Sequence, residues 1–183
     1  MAKNADRPAA SGAVRANEVR IIGGRWKRTR LAVADQPGLR PTPDRVRETL
    51  FNWLASLAGG AGGELAGWRC LDAFAGTGAL GFEAASRGAA EAVRIERGNG
   101  VAALERAPAG SLSAVFIDPP FGAAALYSPA LAAAARALKG GGVVYLEAPR
   151  RWAEADLAPF GLAEFRYLRA GAVHAHLLKL NTL

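Results

Sequence analysis

Leu71-Asp72-Ala73-Phe74-Ala75-Gly76-Thr77-Gly78 joins the apolar run Trp68–Leu71 to a helical pattern that continues to Ser86. An apolar run, an acid, glycines and then a helix read as strand, tight turn and helix. Glycine permits positive φ and lets a ligand approach the backbone closely. The helix that follows begins with free N–H groups and the positive end of its dipole. A second stretch, Asp118-Pro119-Pro120-Phe121, closes the apolar run Ala114–Ile117 in a similar way. Both acids therefore sit at the carboxyl ends of strands, where open α/β sheets bind their ligands.

Outward from these two stretches, strands are expected at Trp68–Ala73, Ala92–Glu96, Leu112–Ile117 and Val143–Glu147. Helices are expected at Gly78–Ser86, Ser128–Leu138 and Arg150–Leu157, with Gly88 and then Gly140–Gly142 as stops. Two final strands, Phe160–Arg169 and Val173–Leu180, turn at Ala170-Gly171. This alternation predicts an α/β fold: an open, mostly parallel, Rossmann-like sheet with helices on both faces and a terminal antiparallel hairpin. Upstream, Val19–Ile22 and Arg30–Val33 suit a short N-terminal β-hairpin. The Pro-rich loop Gln36–Pro43 leads into a helix over Arg45–Leu57, whose Val46, Leu50, Trp53, Leu54 and Leu57 form one apolar stripe. Thr42 or Asp44 is expected to cap it. The chain divides into a disordered basic tail (1–18), an extension of hairpin, loop and helix (19–63, with Gly59–Gly63 as linker) and a sheet domain (64–183).

The 183 residues, 51% of them hydrophobic and 21% charged, suit one packed domain. No apolar run is long enough to span a bilayer, and the polar, basic N-terminus does not read as a secretory signal. Cys70 is the only cysteine, so no internal disulfide forms, and a cytoplasmic location is the expectation. His174 and His176, the only histidines, are too few for a structural zinc site, so no metal is expected. Nothing demands more than a monomer. The net charge of +7 is concentrated early: residues 1–50 hold eleven Lys or Arg against five Asp or Glu. That imbalance suits a polyanionic partner. Arg25, Lys27 and Arg28 cluster around Trp26 in the hairpin turn. Cations neutralise phosphates and an aromatic plane stacks on unpaired bases, although Trp26 packing the hairpin onto the core explains it equally well.

The Asp-x-Phe-x-Gly-x-Gly loop resembles the S-adenosylmethionine loop of class I methyltransferases. Asp-Pro-Pro-Phe resembles the catalytic motif of those that methylate exocyclic amino groups. With Arg20-Ile21-Ile22-Gly23-Gly24 and Leu39-Arg40-Pro41-Thr42-Pro43-Asp44-Arg45-Val46-Arg47-Glu48 upstream, the chain resembles the bacterial 16S (small-subunit) ribosomal RNA guanine-N2 methyltransferase family from about Val19 to Leu180. The resemblance implies that Phe74, Ala75, Gly76, Thr77 and Gly78 wrap the methionine end of S-adenosylmethionine. It also implies that Asp72 lies near the methionine amino group, that Glu96 holds the ribose, and that Asn99 stands near the adenine. Catalysis would fall to Asp118, Pro119, Pro120 and Phe121. The RNA side would take Arg25, Trp26, Lys27, Arg28, Arg40, Thr42, Arg45 and Arg47, although Arg45 and Arg47 suit structural salt bridges as well. The partner would be 16S ribosomal RNA or the assembling small subunit, with no membrane.

Independently of the resemblance, Glu96 falls about 20 residues past the glycine loop, the spacing at which an acid meets a ribose in dinucleotide sheets. The chain then departs from the family pattern. A helix and a further strand should separate Glu96 from the strand that bears Asp118, yet only Arg97–Ala114 intervenes. A crossover with its helix needs at least about 10–12 residues before either strand is counted. Either the natural chain carries a deletion here, or this sequence lacks a stretch of the natural protein, in which case the natural mass lies well above 19.0 kDa.

The chemistry expected of the second stretch follows from the amine. Guanine N2 is a poor nucleophile because its lone pair is delocalised into the ring. The Asp118 carboxylate and the Pro119 carbonyl can accept its N–H bonds, the two prolines stiffen the loop, and Phe121 can stack on a base brought into the site. Three other readings stand beside guanine-N2 methylation of RNA. A DNA adenine-N6 methyltransferase shares the Asp-Pro-Pro-aromatic logic, but no separate target-recognition domain is evident. A glutamine-directed protein methyltransferase usually has Asn at the place of Asp118. A non-catalytic RNA-binding or ribosome-assembly protein would follow from a true deletion after Glu96.

Overall fold

A computed structural model describes residues 18–33, 42–59, 64–89, 93–120 and 122–181. The predicted tail at 1–17, most of the Pro-rich loop with Arg40, the linker at 60–63, the start of the predicted strand at Ala92, and Phe121 lie outside the described residues.

Three parallel strands, β3 (Cys70–Asp72), β4 (Leu112–Ile117) and β5 (Leu138–Ala148), open the sheet. Its order is β3-β4-β5-β7-β6, and β7 (Val173–Leu180) runs antiparallel to both β5 and β6 (Leu162–Ala170). Every residue of β4 is buried, as a strand covered on both faces requires. Alternation divides the side chains. Val115, Ile117, Val144, Leu146 and Leu178 pack with α3 (Gly100–Arg106) and α4 (Tyr127–Ala137). On the other face Ala114, Phe116, Tyr145 and Leu177 pack with α1 (Asp44–Ala58) and α2 (Ala79–Ser86). Of the stripe predicted on α1, Val46, Leu50 and Leu54 are at 1% exposure or less, Trp53 and Leu57 are only partly buried, and Phe51, outside the predicted stripe, is fully buried.

Several boundaries moved for local reasons. Neither Thr42 nor Asp44 caps α1: Pro43 stands at the N-cap without a side-chain bond, and its carbonyl accepts the N–H groups of Val46 and Arg47. Gly140–Gly142 do not separate α4 from the next strand, because β5 begins at Leu138 and absorbs them with a register shift against β4. Of the helix expected over Arg150–Leu157 only α5 (Glu154–Leu157) forms, started by a hydrogen bond from the Ala153 N–H to Asp156 Oδ2 at 2.8 Å.

The strand expected at Ala92–Glu96 is a correction. Residues 93–97 carry no strand, and Val93 and Ile95 are 45% and 78% exposed. An alternating pattern makes a strand only when a neighbour pairs with it and a layer covers it. The chain here turns back at once into α3, without a crossover helix to provide that layer.

The hairpin of β1 (Glu18–Arg20) and β2 (Arg30–Ala32) forms a separate two-stranded sheet. It is held on α2 by a buried acid. Glu83 accepts the N–H of Ile22 at 2.7 Å through one carboxylate oxygen and that of Gly23 at 2.8 Å through the other, and it pairs with Arg87 at 2.8 Å. Ser86 completes the clamp, accepting from Trp26 N–H at 2.8 Å and donating to the Gly23 carbonyl at 2.6 Å.

Candidate functional site

The glycine loop leaves β3 at Asp72. Gly76 and Gly78 have φ of 51° and 76°, the left-handed region in which a side chain is strained. A Cβ on Gly78 would also lie 2.7 Å from the Phe82 ring, so helix and loop pack as one piece. The Asp72 carboxylate accepts the Gly81 N–H at 3.0 Å and a backbone bond from Phe74. Burial outweighs those two bonds and lifts its pKa to about 6.

Asp118 follows β4 at the same rim. Thr42, from the loop before α1, donates its hydroxyl to Asp118 Oδ2 at 3.2 Å. The pKa of Asp118 is pushed up to about 8, first by burial and then by the like charges of Glu147 and Asp72. Pro119 is buried and Pro120 exposed. Two groups around Asp118 went unread in the sequence. Glu147, on β5, is 5% exposed and accepts the Tyr145 hydroxyl at 2.9 Å. Tyr127, on α4, is 5% exposed and feels both acids, which with its burial hold its phenol proton tightly. The sequence signal for Glu147 was present, an acid at the carboxyl end of a strand, the same signal that singled out Asp72 and Asp118.

A raised carboxyl pKa has a definite sign for stability. The folded state holds the Asp118 proton between pH 4 and 8 while the unfolded state has released it, so stability falls as pH rises through that window. The buried His176, whose pKa is lowered chiefly by burial, opposes this only below about pH 6.5. Urea unfolding between pH 7 and 8 should therefore show a loss of about 1 kcal/mol that Asp118→Asn abolishes. An equal loss in the variant would assign the slope to other groups.

The remaining predicted residues are distributed unevenly. Arg25, Lys27 and Arg28 are exposed on the hairpin turn, and Trp26 is half-buried with its ring edge-on to Phe82 at 6.4 Å. Arg45 is exposed on α1. Arg47 is wholly buried and does not face solvent; it donates to the carbonyls of Thr42 and Arg20 and pairs with Asp44 at 2.6 Å, tying loop and hairpin to α1. Its place among the RNA-facing cations is thereby withdrawn. Asn99 caps α3, its side-chain oxygen accepting from Val101 at 2.9 Å and Ala102 at 3.2 Å. Glu96 lies on the exposed stretch rather than at a strand end, paired with Arg94 at 2.9 Å and Arg106 at 3.2 Å.

The residues present fit one end of S-adenosylmethionine. A half-buried acid beside two left-handed glycines suits a cationic amino group with backbone closing around it. Glu96 and Asn99, expected at the nucleoside end, are both engaged elsewhere. Among the described residues no cluster of His, Cys, Asp and Glu could hold a metal ion, and no helix is long and apolar enough to cross a membrane.

Residues 19–107 match the family described as conserved hypothetical protein 95. Over 85 residues the chain is 56% identical to ribosomal RNA small subunit methyltransferase D of Escherichia coli strain K12, covering 46% of this chain and 39% of that protein. The chain thus spans about two fifths of the length of that curated relative. A solved structure of a putative methyltransferase from Escherichia coli, yhhF, superposes with a TM-score of 0.69 at 30% identity, covering 88% of this chain and 97% of that one. A 16S rRNA N2 methyltransferase of T. thermophilus, solved with AdoMet and guanosine, superposes with a TM-score of 0.53 at 26% identity, covering 92% of this chain and 45% of that one.

Proposed function

This chain belongs to the methyltransferase family described as conserved hypothetical protein 95, and on that premise we propose that it methylates the exocyclic N2 amino group of a guanine in 16S ribosomal RNA, using S-adenosylmethionine. One observation carries the reading. Asp118 ends β4 and Asp72 ends the neighbouring parallel strand β3, so an amine-binding acid and a cofactor loop share one rim. The relatives' names support the nucleic-acid class and the cofactor.

When bound, S-adenosylmethionine supplies an electrophilic methyl group. Asp72 and the backbone of Phe74–Gly78 hold its methionine end. Asp118 accepts an N–H of the guanine amine and orients the nitrogen lone pair at the methyl carbon. Alignment of this kind is the main source of acceleration in an in-line displacement. Pro119 and Pro120 fix the loop, and Phe121 stacks on the base. Arg25, Lys27 and Arg28 neutralise phosphates, and Trp26, Arg40 and Arg45 serve the same RNA-binding role. The expected site of action is the cytoplasm, as a monomer, on ribosomal RNA or the assembling subunit. The division into an RNA-side extension (19–63) and a catalytic domain (64–183) belongs to the same reading.

The test is transfer of a labelled methyl group to 16S RNA or to small subunits lacking the modification, followed by nucleoside analysis. N2-methylguanosine supports the proposal, and N6-methyladenosine in DNA would replace it with the adenine reading. Neutralising Arg25, Lys27 and Arg28 together should weaken RNA binding and flatten its dependence on salt. An unchanged slope would remove the hairpin from the interface.

The exposed stretch from Val93 to Arg97, with Glu96 bound to arginines, favours a second reading: an RNA-binding protein without catalysis. Calorimetry with S-adenosylmethionine separates the two, since only the enzyme binds it.

A further inference from the structure

The β4–β5 register pairs Phe116 with Tyr145 and Ile117 with Leu146, so the next residues on the two parallel strands are Asp118 and Glu147. Neighbouring strands lie about 4.8 Å apart and alternate residues share a face. The two carboxyls therefore stand side by side on the face of Phe116 and Tyr145. Thr42 reaches both: its hydroxyl donates to Asp118 Oδ2 at 3.2 Å and stands within hydrogen-bond reach of Glu147. That hydroxyl has one proton and can serve one acid at a time. The Tyr145 hydroxyl serves only Glu147, at 2.9 Å.

Among the described residues no ion pair involves either acid. Their surroundings are mostly acidic or neutral. Asp72 adds a further negative charge, and Tyr127 and Tyr145 are phenols held protonated. From α1, Arg47 reaches the Thr42 carbonyl and pairs with Asp44, and from α2, Glu83 is bound to Arg87. On β7, Ala175 pairs with Glu147, while His176 pairs with Leu146 and is bonded to Glu164 at 2.8 Å. A buried and a half-buried carboxyl side by side without a cation are costly to ionise together, so the pair takes up a proton readily.

We propose that Glu147 is a positioning residue for the reaction, the second half of a carboxylate pair whose negative charge readies Asp118 to take up the proton shed by the exocyclic amine and keeps that proton shared between the two. The proposal rests on the amino-methylation reading above. On methylation the amine nitrogen forms a bond to the methyl carbon as the methyl–sulfur bond breaks, with its electron pair going to sulfur. The nitrogen then loses one of its two protons. An ordinary aspartate is too weak a base to retain that proton at neutral pH. A carboxylate beside a second carboxylate holds it, and the pair, then sharing that single proton, releases it to water after product leaves. Burial raises both pKa values, and at Asp118 the like charge of Glu147 adds to it.

The variant Glu147→Gln keeps the size and an acceptor for Tyr145 while removing the charge. Carbon-13 NMR of the Asp118 carboxyl, in the free protein, should show a wild-type midpoint far above the usual carboxylate range. In Glu147→Gln it should move acidward by at least about one pH unit. The acid limb of the single-turnover methylation profile, where a protonated Asp118 can no longer take up the amine proton, should move with it, with little change in KM for RNA. Glu147→Asp, which keeps the charge, should restore the alkaline midpoint and separates charge from packing. Unmoved midpoints in both measurements while the wild type methylates RNA overturn the pair and leave the function standing. If the NMR midpoint moves but the wild type transfers no methyl group, the function fails and the catalytic role of Glu147 fails with it.

Discussion

Asp118→Ala is expected to lower the single-turnover rate of methyl transfer to RNA by about 10²–10⁴-fold, the range for loss of a positioned acid or base. S-adenosylmethionine binding should be nearly unchanged, because Asp72 and its loop are held by Gly81 and Phe74 rather than by Asp118. The fold should survive. A carboxyl that is costly to ionise is removed, and the partner it strands, the Thr42 hydroxyl, is within reach of Glu147. Rate, cofactor affinity and unfolding midpoint must be measured on the same preparation. A rate within tenfold of wild type would strip Asp118 of a catalytic role. A rate lost together with cofactor binding and fold would make it structural.

Glu83→Ala should be the most destabilising single change at the hairpin. The side chain is wholly buried, and its two oxygens accept two backbone N–H groups and an arginine. Truncation leaves Arg87, at 14% side-chain exposure, with its charge uncompensated and two amides without partners. Removing one member of a buried pair typically costs about 3–5 kcal/mol. Urea unfolding would measure the loss, and hydrogen exchange would localise it, with the amides of Ile22 and Gly23 exchanging faster than those of β4. RNA affinity should fall in parallel, since Arg25, Lys27 and Arg28 lose their anchored turn. A loss below 1 kcal/mol, with hairpin amides still protected, would mean that Ser86 and the Trp26–Phe82 contact hold the hairpin alone.

The difference between these two residues shows what was legible. Asp118 could be read because its chemistry is local: an apolar run, an acid and two prolines carry strand end, charge and stiffness within a few positions. Asp72 and its glycines could be read for the same reason. Glu83 could not, since a glutamate inside a short helix is ordinarily a solvated charge. It became the anchor of the hairpin only because Ile22 and Gly23, some 60 positions earlier, close onto it. Arg47 shows the converse, a cation in a basic stretch that packing turned inward. Glu96 was read by spacing and Asn99 by family resemblance, and each found a nearer partner, two arginines for Glu96 and a helix end for Asn99.

By itself the sequence determined that the chain forms an alternating α/β sheet, that Asp72 and Asp118 end strands at one rim, and that the cations gather toward the N-terminus. Short-range periodicity and turn chemistry suffice for those. Only the tertiary structure decided that Glu147 stands beside Asp118, that Thr42 lies beside them, that Arg47 faces inward and that residues 93–97 join no strand. Each depends on strand register or on contacts between segments far apart in the chain, and burial among such segments sets whether a charge is solvated, paired or forced to keep its proton.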